Sequence, residues 1–193
     1  MTKGRLEAFS DGVLAIIITI MILEIKLPEG DTLAALLKVM PAFFSYLLSF
    51  VFIGIYWNNH HHMMHAVTSV NGATLWANLH LLFWLSLIPF GTNWMSEHHF
   101  STVPVALYGV LLLMCAIAYT ILVQVLLRHL GKDSMLARAL GRDSKGWISL
   151  VLYVVALALT YLNPKISLAI YATVAAIWLI PDRRIERKAL DEH

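Results

Sequence analysis

Two ionisable residues of this chain stand where the surrounding sequence is apolar. Asp11 precedes an isoleucine-rich run of uncharged residues, 12–23, and His80 lies beside Asn78 in another uncharged stretch. An ionisable side chain at membrane depth is costly unless it faces protein and finds hydrogen-bond partners. Asp11 and His80 could therefore anchor helices, or together relay a proton in a cation carrier.

Histidine and methionine cluster in NNHHHMMH, residues 58–65. Both residue types bind copper, and His61 and His65 would share one face of a helix. Because no cysteine or carboxylate lies nearby in sequence, no metal site is assigned. The run 60–65 is interpreted as a polar helix end that takes the place of Lys and Arg, with metal binding and a cytoplasmic response to pH as alternatives. The sequence shows no nucleophile–base pair, phosphate loop or dinucleotide motif, so we expect neither an enzyme nor a bound cofactor.

The composition indicates an integral membrane protein, since 59% of the residues are hydrophobic and only 13% are charged. Soluble domains carry about 25% charged residues. A spanning helix needs about 20 mostly apolar residues. Uncharged stretches predict six spans, the first of which is long enough only if residues 9–27 are all helical; the others lie near 39–59, 72–95, 104–127, 146–164 and 166–181. We therefore expect an all-α fold with six transmembrane helices in residues 1–182, followed by a short tail, 183–193.

The distribution of Lys and Arg predicts the orientation in the bilayer. Eleven of them fall on the side that carries both termini, and three fall on the other side. Positive loops stay in the cytoplasm, so both termini should be cytoplasmic in a multi-pass protein of the cell membrane. The net charge of +2 reflects this bias rather than a nucleic-acid-binding patch.

A helical wheel divides the first span into two faces. At about 100° per residue, Ser10 and Asp11 point away from the face that carries Ile16. That face comprises Arg5, Phe9, Gly12, Ile16, Thr19, Ile20, Leu23 and Leu27. Because a carboxylate needs donors, Asp11 should turn into the helix bundle of its own subunit. The isoleucine face is then left to meet lipid, a neighbouring helix or another partner.

Residues 5–11, RLEAFSD, fit the pattern Arg-x-x-x-Phe-Ser-Asp. This pattern resembles the start of the first helix in the transmembrane protein 175 family of potassium channels. The resemblance continues through GVLAIIITIMILEIKLP (12–28), YWNNHH (56–61) and LWANLHLLFWLSLIPFGTN (75–93). It is close over the first half of the chain and extends to the second half only in the number and length of helices.

The resemblance implies a homotetramer of six-helix chains, in which the first helices line a central pore without a carbonyl selectivity filter. It places the main hydrophobic constriction at Ile16, further apolar rings at Ile20 and Leu23, and an ion-hydrating hydroxyl at Thr19. The motif residues Arg5, Phe9, Ser10 and Asp11 would anchor the helix. Candidate hydrogen-bond partners of the motif are Trp57, Trp76, Asn78 and His80.

The expected function is that of a potassium-permeable leak channel with weak to moderate selectivity, whose permeant ion is K⁺. Two alternatives stay open. The first is a proton-coupled cation transporter that uses Asp11 and His80, and the second is a metal-binding membrane protein built on the run 60–65.

Overall fold

The computed structural model describes residues 2–131, 133–140 and 144–179, apart from the side chains of residues 139, 140 and 144. Within these ranges the chain forms eight α-helices and no strand, in agreement with the predicted all-α class. The helices are α1 Lys3–Leu23, α2 Leu33–His65, α3 Gly72–Ser86, α4 Ile88–Glu97, α5 Thr102–Leu130, α6 Met135–Leu140, α7 Ser144–Thr160 and α8 Pro164–Leu179. The predicted tail, 183–193, lies outside the described residues.

Four helical stretches in the described part of the chain are long and apolar enough to cross a membrane. They are Lys3–Leu23, Leu33–His65, Gly72–Glu97 and Thr102–Leu130. Two shorter apolar helices, Lys145–Thr160 and Pro164–Leu179, occupy the places of the fifth and sixth predicted spans. Six crossings therefore remain a prediction that depends on α7 and α8.

The first helix does not run over residues 9–27 as the span length required. It begins at Lys3 and ends at Leu23, and residues 24–27 form a turn and an extended segment. Pro28 explains part of this difference, because a proline disfavours helical backbone in the residue before it. Leu27 consequently lies outside the helix, and its assignment to the face of Ile16 is wrong.

The third predicted span is divided into α3 and α4. α3 ends at Ser86, α4 begins at Ile88, and Pro89 stands in the first turn of α4. A proline has no amide proton and its ring clashes with the carbonyl of the preceding turn, so a continuous helix is interrupted just before it.

The core of the bundle lies around α5, which packs against α3, α4, α7 and α8. Tyr108 and Cys115 on α5 are fully buried. The hydroxyl of Ser49 on α2 lies 2.7 Å from Thr92 Oγ1 on α4 and 2.8 Å from Tyr108 Oη on α5. These two hydrogen bonds join three helices at the centre. α1 packs on this core through α2, α3 and α4.

Candidate pore-lining helix and its anchoring contacts

The two faces of α1 differ sharply in exposure within the single chain. The buried face recurs every three to four residues and comprises Leu6, Ser10, Leu14, Ile17 and Met21. The opposite face is apolar and open, with Ile16 58%, Ile20 43% and Leu23 82% exposed. Phe9 and Thr19 are exposed on the same side. The structure thus separates the residues of α1 as the helical wheel did, with the exception of Leu27.

Thr19 is the polar group between the exposed isoleucines. Its hydroxyl donates to the carbonyl oxygens of Ile16 at 2.9 Å and Ala15 at 3.0 Å in its own helix. A hydroxyl has one proton and two acceptor lone pairs. Because the helix takes the proton, the oxygen of Thr19 is left with acceptor capacity toward a cation or its hydration water.

Asp11 is held by Trp57 on α2. The indole Nε1 donates a hydrogen bond of 3.0 Å to Asp11 Oδ1. Asp11 thus turns toward a helix of its own chain, as predicted, but it is exposed in the single chain, where Trp57 is 45% exposed. The reason is its place on the helix: Ser10 occupies the buried position, and the next residue is turned by about 100° toward the edge of the interface.

Ser10 belongs to a buried polar network of three helices. Asn78 Nδ2 on α3 donates to Ser10 Oγ at 2.9 Å, and Ser10 Oγ donates to the carbonyl oxygen of Leu6 at 2.9 Å. On the other side, Asn78 Oδ1 lies 2.8 Å from Nε2 of the buried His60 on α2. An amide oxygen only accepts, so His60 must donate from Nε2. Among the described residues, no fully buried side-chain nitrogen or oxygen lacks a hydrogen-bond partner.

The role of His60 was missed because the sequence places it in the histidine and methionine run. The signal that could have found it is the spacing of WNNH, residues 57–60. Residues three apart on a helix lie on adjacent positions of one face. Trp57 and His60 therefore both face α1, one toward Asp11 and the other toward the network of Ser10.

The other two candidate partners of the motif do not reach it. Trp76 is 75% exposed, and His80 accepts a hydrogen bond of 2.9 Å from Trp84 Nε1 in its own helix. Both residues are two positions from Asn78, which corresponds to a rotation of about 200° on a helix. With Asn78 turned toward α1, Trp76 and His80 are turned away from it. The suggested bond between Asp11 and His80 is therefore wrong.

The end of α1 near Leu23 borders an open groove between α1 and α4, with a volume of about 460 Å³. Ile16 and Ile20 form one wall, Pro89 and Phe90 form the other, and Glu24 and Asn93 lie at the end of the groove. Asn93 Nδ2 donates to Glu24 Oε2 at 3.2 Å. The groove is thus apolar along its length and acidic at its mouth.

A second carboxylate near this mouth is already paired. Glu97 Oε1 lies 2.5 Å from Lys26 Nζ. The hydrogen bond and the negative charge of Glu97 raise the pKa of Lys26 above its ordinary value. Lys26 is therefore charged and paired with Glu97, whereas Glu24 accepts its hydrogen bond from Asn93. Among the residues that the structure describes, no three His, Cys, Asp or Glu side chains are placed to hold a metal ion together.

Comparison with known proteins assigns this arrangement to a family. Residues 5–89 match the family described as endosomal/lysosomal potassium channel TMEM175. A potassium channel of Chryseobacterium sp. (strain P1-3) is 56% identical over 193 residues, which cover 100% of both chains. The crystal structure of a lysosomal potassium-selective channel TMEM175 homologue from Chamaesiphon minutus matches with a TM-score of 0.81 and 29% identity, over 92% of this chain and 96% of that one.

An animal protein also matches. The endosomal/lysosomal proton channel TMEM175 of Gallus gallus is 34% identical over 109 residues, which cover 50% of this chain and 22% of the animal protein. The matched region of the family includes α1, the network of Ser10 and the contact between Asp11 and Trp57. The chain is therefore a membrane protein that belongs to the endosomal/lysosomal potassium channel TMEM175 family.

Proposed function

We propose that this protein is a potassium-permeable channel of weak to moderate selectivity, whose conduction path is lined by α1 helices from several copies of the chain. The observation that carries the proposal is the apolar, exposed face of Ile16, Ile20 and Leu23 on a helix whose opposite face is fixed by buried hydrogen bonds. The names of the bacterial relatives support the choice of potassium.

A homotetramer is the assembly that we propose. One α1 helix cannot enclose a path by itself, whereas about four helices of about 10 Å diameter can surround a narrow pore. Each copy would contribute Ile16, Ile20 and Leu23 as three successive apolar rings along the axis. The motif residues Arg5, Phe9, Ser10 and Asp11 would fix the rotation of each helix, so that the rings stay in register.

Residues 1–182 would form one membrane domain of six crossings. The described parts of α7 and α8 have 17 and 16 residues, which already account for about 25 Å of a hydrocarbon core of about 30 Å. Both termini would lie in the cytoplasm, as the positive-inside bias of the sequence predicts, in the cell membrane.

Conduction would depend on ion hydration. A ring of isoleucine side chains offers no ligand, so an ion must pass with its water or lose part of it, and further narrowing dewets the pore. Potassium holds its water less tightly than sodium, so this constriction hinders sodium more. Thr19 would return part of the lost hydration through its free lone pairs. This mechanism gives a modest preference for potassium and requires no cofactor.

The carrier alternative has lost its structural basis, because His80 is bonded to Trp84 and is turned away from Asp11. A different route for protons deserves a direct test, since the animal relative is named a proton channel. Proton permeation through the path of Ile16 would not need His80. The two ions can be separated in one flux experiment.

The test is ion flux from proteoliposomes that contain the purified protein. Vesicles loaded with potassium or sodium are diluted into an impermeant-cation buffer, and a proton ionophore with a pH dye reports the charge that leaves. The expected result is flux with both cations, faster with potassium, and none in protein-free vesicles. A parallel run with a pH gradient and no ionophore measures protons. No potassium flux from a protein that is folded and tetrameric would overturn the proposal.

A further inference from the structure

The C-terminal end of α2 extends beyond the length of helix that a bilayer covers. α2 has 33 residues and is therefore about 50 Å long, against a hydrocarbon core of about 30 Å. Its final eight residues are NNHHHMMH, and His61 and His65 within them are exposed. This end of α2 therefore lies at or beyond the membrane surface, where its side chains can contact dissolved solutes.

The imidazoles of His61 and His65 approach each other through the same ring atom. Their Nε2 atoms are 3.1 Å apart, and the ring centroids are 4.5 Å apart with an interplanar angle of 80°. Metal–imidazole bonds are about 2.0–2.1 Å long. Two such bonds place the nitrogens about 2.9 Å apart when the nitrogen–metal–nitrogen angle is a right angle. At a tetrahedral angle the nitrogens are about 3.3 Å apart. The observed separation lies between these values.

The other potential ligands of the run are already occupied or hidden. His60 is buried against Asn78, and Met63 and Met64 are 2% and 0% exposed. The thioethers that would favour Cu(I) are therefore inaccessible. His62 is only partly buried, and its ring lies edge-on beside His61, outside the pair. The pair itself consists of two imidazoles, which suit divalent Cu, Ni, Co and Zn rather than Ca or Mg.

We propose that His61 and His65 form a two-ligand chelate for a divalent transition-metal ion, with water in the remaining positions. In the free protein one imidazole donates its Nε2–H to Nε2 of the other. When a metal ion lies between these two atoms, the donor ring carries its hydrogen on Nδ1 instead, after exchange with water, so that both Nε2 lone pairs face the ion. The proposal does not rest on channel activity, and it revises the interpretation of the run as only a polar helix end. Affinity should follow the order of imidazole sites, with Cu²⁺ above Ni²⁺ and Ni²⁺ above Co²⁺.

Trp57 supplies a local reporter. Its ring stacks on His61 with centroids 5.9 Å apart and an interplanar angle of 21°. A paramagnetic Cu²⁺ ion on His61 would lie close enough to quench the fluorescence of this indole. The quenched component should be missing in Trp57→Phe.

The experiment is calorimetric titration of the tag-free protein in detergent with Cu²⁺, Ni²⁺ and Co²⁺, together with fluorescence quenching by Cu²⁺. His61→Gln and His65→Gln should each weaken binding by about tenfold or more, because a single imidazole cannot chelate. The matched control is His62→Gln, whose ring lies beside His61 but outside the pair, and it should bind within about threefold of the original protein. Thermal unfolding of each variant verifies that it is folded.

Equal affinity of the original protein, His61→Gln and His65→Gln would overturn the proposal. So would an equal loss in His62→Gln, or stronger binding of Co²⁺ than of Cu²⁺. Binding that is lost in both pair variants and kept in the control, with quenching that requires Trp57, would establish the site.

Discussion

The indole of Trp57 and the carboxylate of Asp11 join α2 to α1 through a hydrogen bond of 3.0 Å. One residue earlier on α1, Ser10 accepts a hydrogen bond from Asn78 on α3. Two consecutive residues of α1 are therefore held by two different helices. Contacts of this kind fix the rotation of α1 about its axis, and with it the direction in which Ile16 points.

Loss of the indole donor should loosen α1 without removing an aromatic ring. Trp57→Phe keeps the ring and removes Nε1–H, so we expect a loss of about 1 kcal/mol of stability and a smaller potassium-to-sodium permeability ratio. Trp76→Phe is the matched control, since Trp76 is 75% exposed and its side chain is turned away from α1, which carries Asp11. Reversal potentials under bi-ionic conditions measure the ratio. An unchanged ratio in Trp57→Phe would argue against this anchoring role.

The buried network predicts a larger effect on stability. Asn78→Leu removes the partner of both His60 and Ser10 and leaves the imidazole N–H buried and unpaired, which should cost about 1–3 kcal/mol. The melting temperature in detergent, followed by intrinsic fluorescence, should fall accordingly. Asn93→Leu serves as the control because its bond to Glu24 is exposed, and its melting temperature should hardly change. Equal melting temperatures of Asn78→Leu and the original protein would contradict the network.

Substitutions of two neighbouring isoleucines on α1 should change different properties, ion selectivity in one case and stability in the other. Ile16 is 58% exposed and Ile17 is 4% exposed. Ile16→Ala should widen the apolar ring and lower potassium selectivity with little change in stability. Ile17→Ala should leave the permeability ratio unchanged but lose about 2–5 kcal/mol by creating a cavity. Ion flux and melting temperature are measured for both variants. A potassium-to-sodium permeability ratio that changes only in Ile17→Ala would place the constriction elsewhere.

Glu24 follows Leu23 at the mouth of the proposed pore, and the nearby Lys26 forms its ion pair with Glu97 instead. A ring of such carboxylates attracts cations, so Glu24→Gln should lower potassium conductance at low ionic strength. The effect should shrink above about 0.1 M salt, where charges are screened within about 10 Å. Glu29→Gln, in the loop after α1, is the control for net charge. Equal losses of potassium conductance in the two variants, or a loss of conductance that does not depend on salt concentration, would exclude a local effect of Glu24.

Gly109 lets α5 and α8 approach each other closely. A Cβ atom at this position would lie 2.8 Å from Tyr171 Cζ and overlap its hydroxyl group, and Tyr171 is fully buried. Gly109→Ala should therefore destabilise the protein by about 1–3 kcal/mol. Gly54→Ala on α2 has open space around its Cβ and should be neutral or slightly stabilising. Equal melting temperatures of the two variants would show that the helices move apart without loss.

The rotation of α1 could be predicted because its polar residues break an otherwise uniform apolar surface. The exposure of Asp11 could not be predicted, since a helical wheel gives angles and does not give the width of the packed interface. The partners of the motif were predicted in part: Trp57 and Asn78 reach it, whereas Trp76 and His80 do not. Asn78 and His80 were treated as one polar group although two residues separate them, and on a helix that separation reverses their directions.

The ends of the helices were predicted less well than the positions of the apolar stretches that form them. Uncharged stretches stop at the first Lys or Glu, yet α1 begins at Lys3 and α2 continues through the histidines to His65. Charged residues extend a helix into water without difficulty, so charge marks the edge of the bilayer rather than the end of the helix. The break at Leu87 has its cause in Pro89, because a proline prevents the backbone hydrogen bond of a continuous helix.

Cys115 is the one cysteine of the chain, and its side chain is wholly enclosed by the bundle. A thiol in that position cannot be reached by a water-soluble maleimide while the protein is folded. Cysteines introduced one at a time along α1 would then be the reactive ones, without prior removal of the natural thiol. The rate at which each is labelled from either side of the membrane, with and without potassium, would map the water-filled path residue by residue.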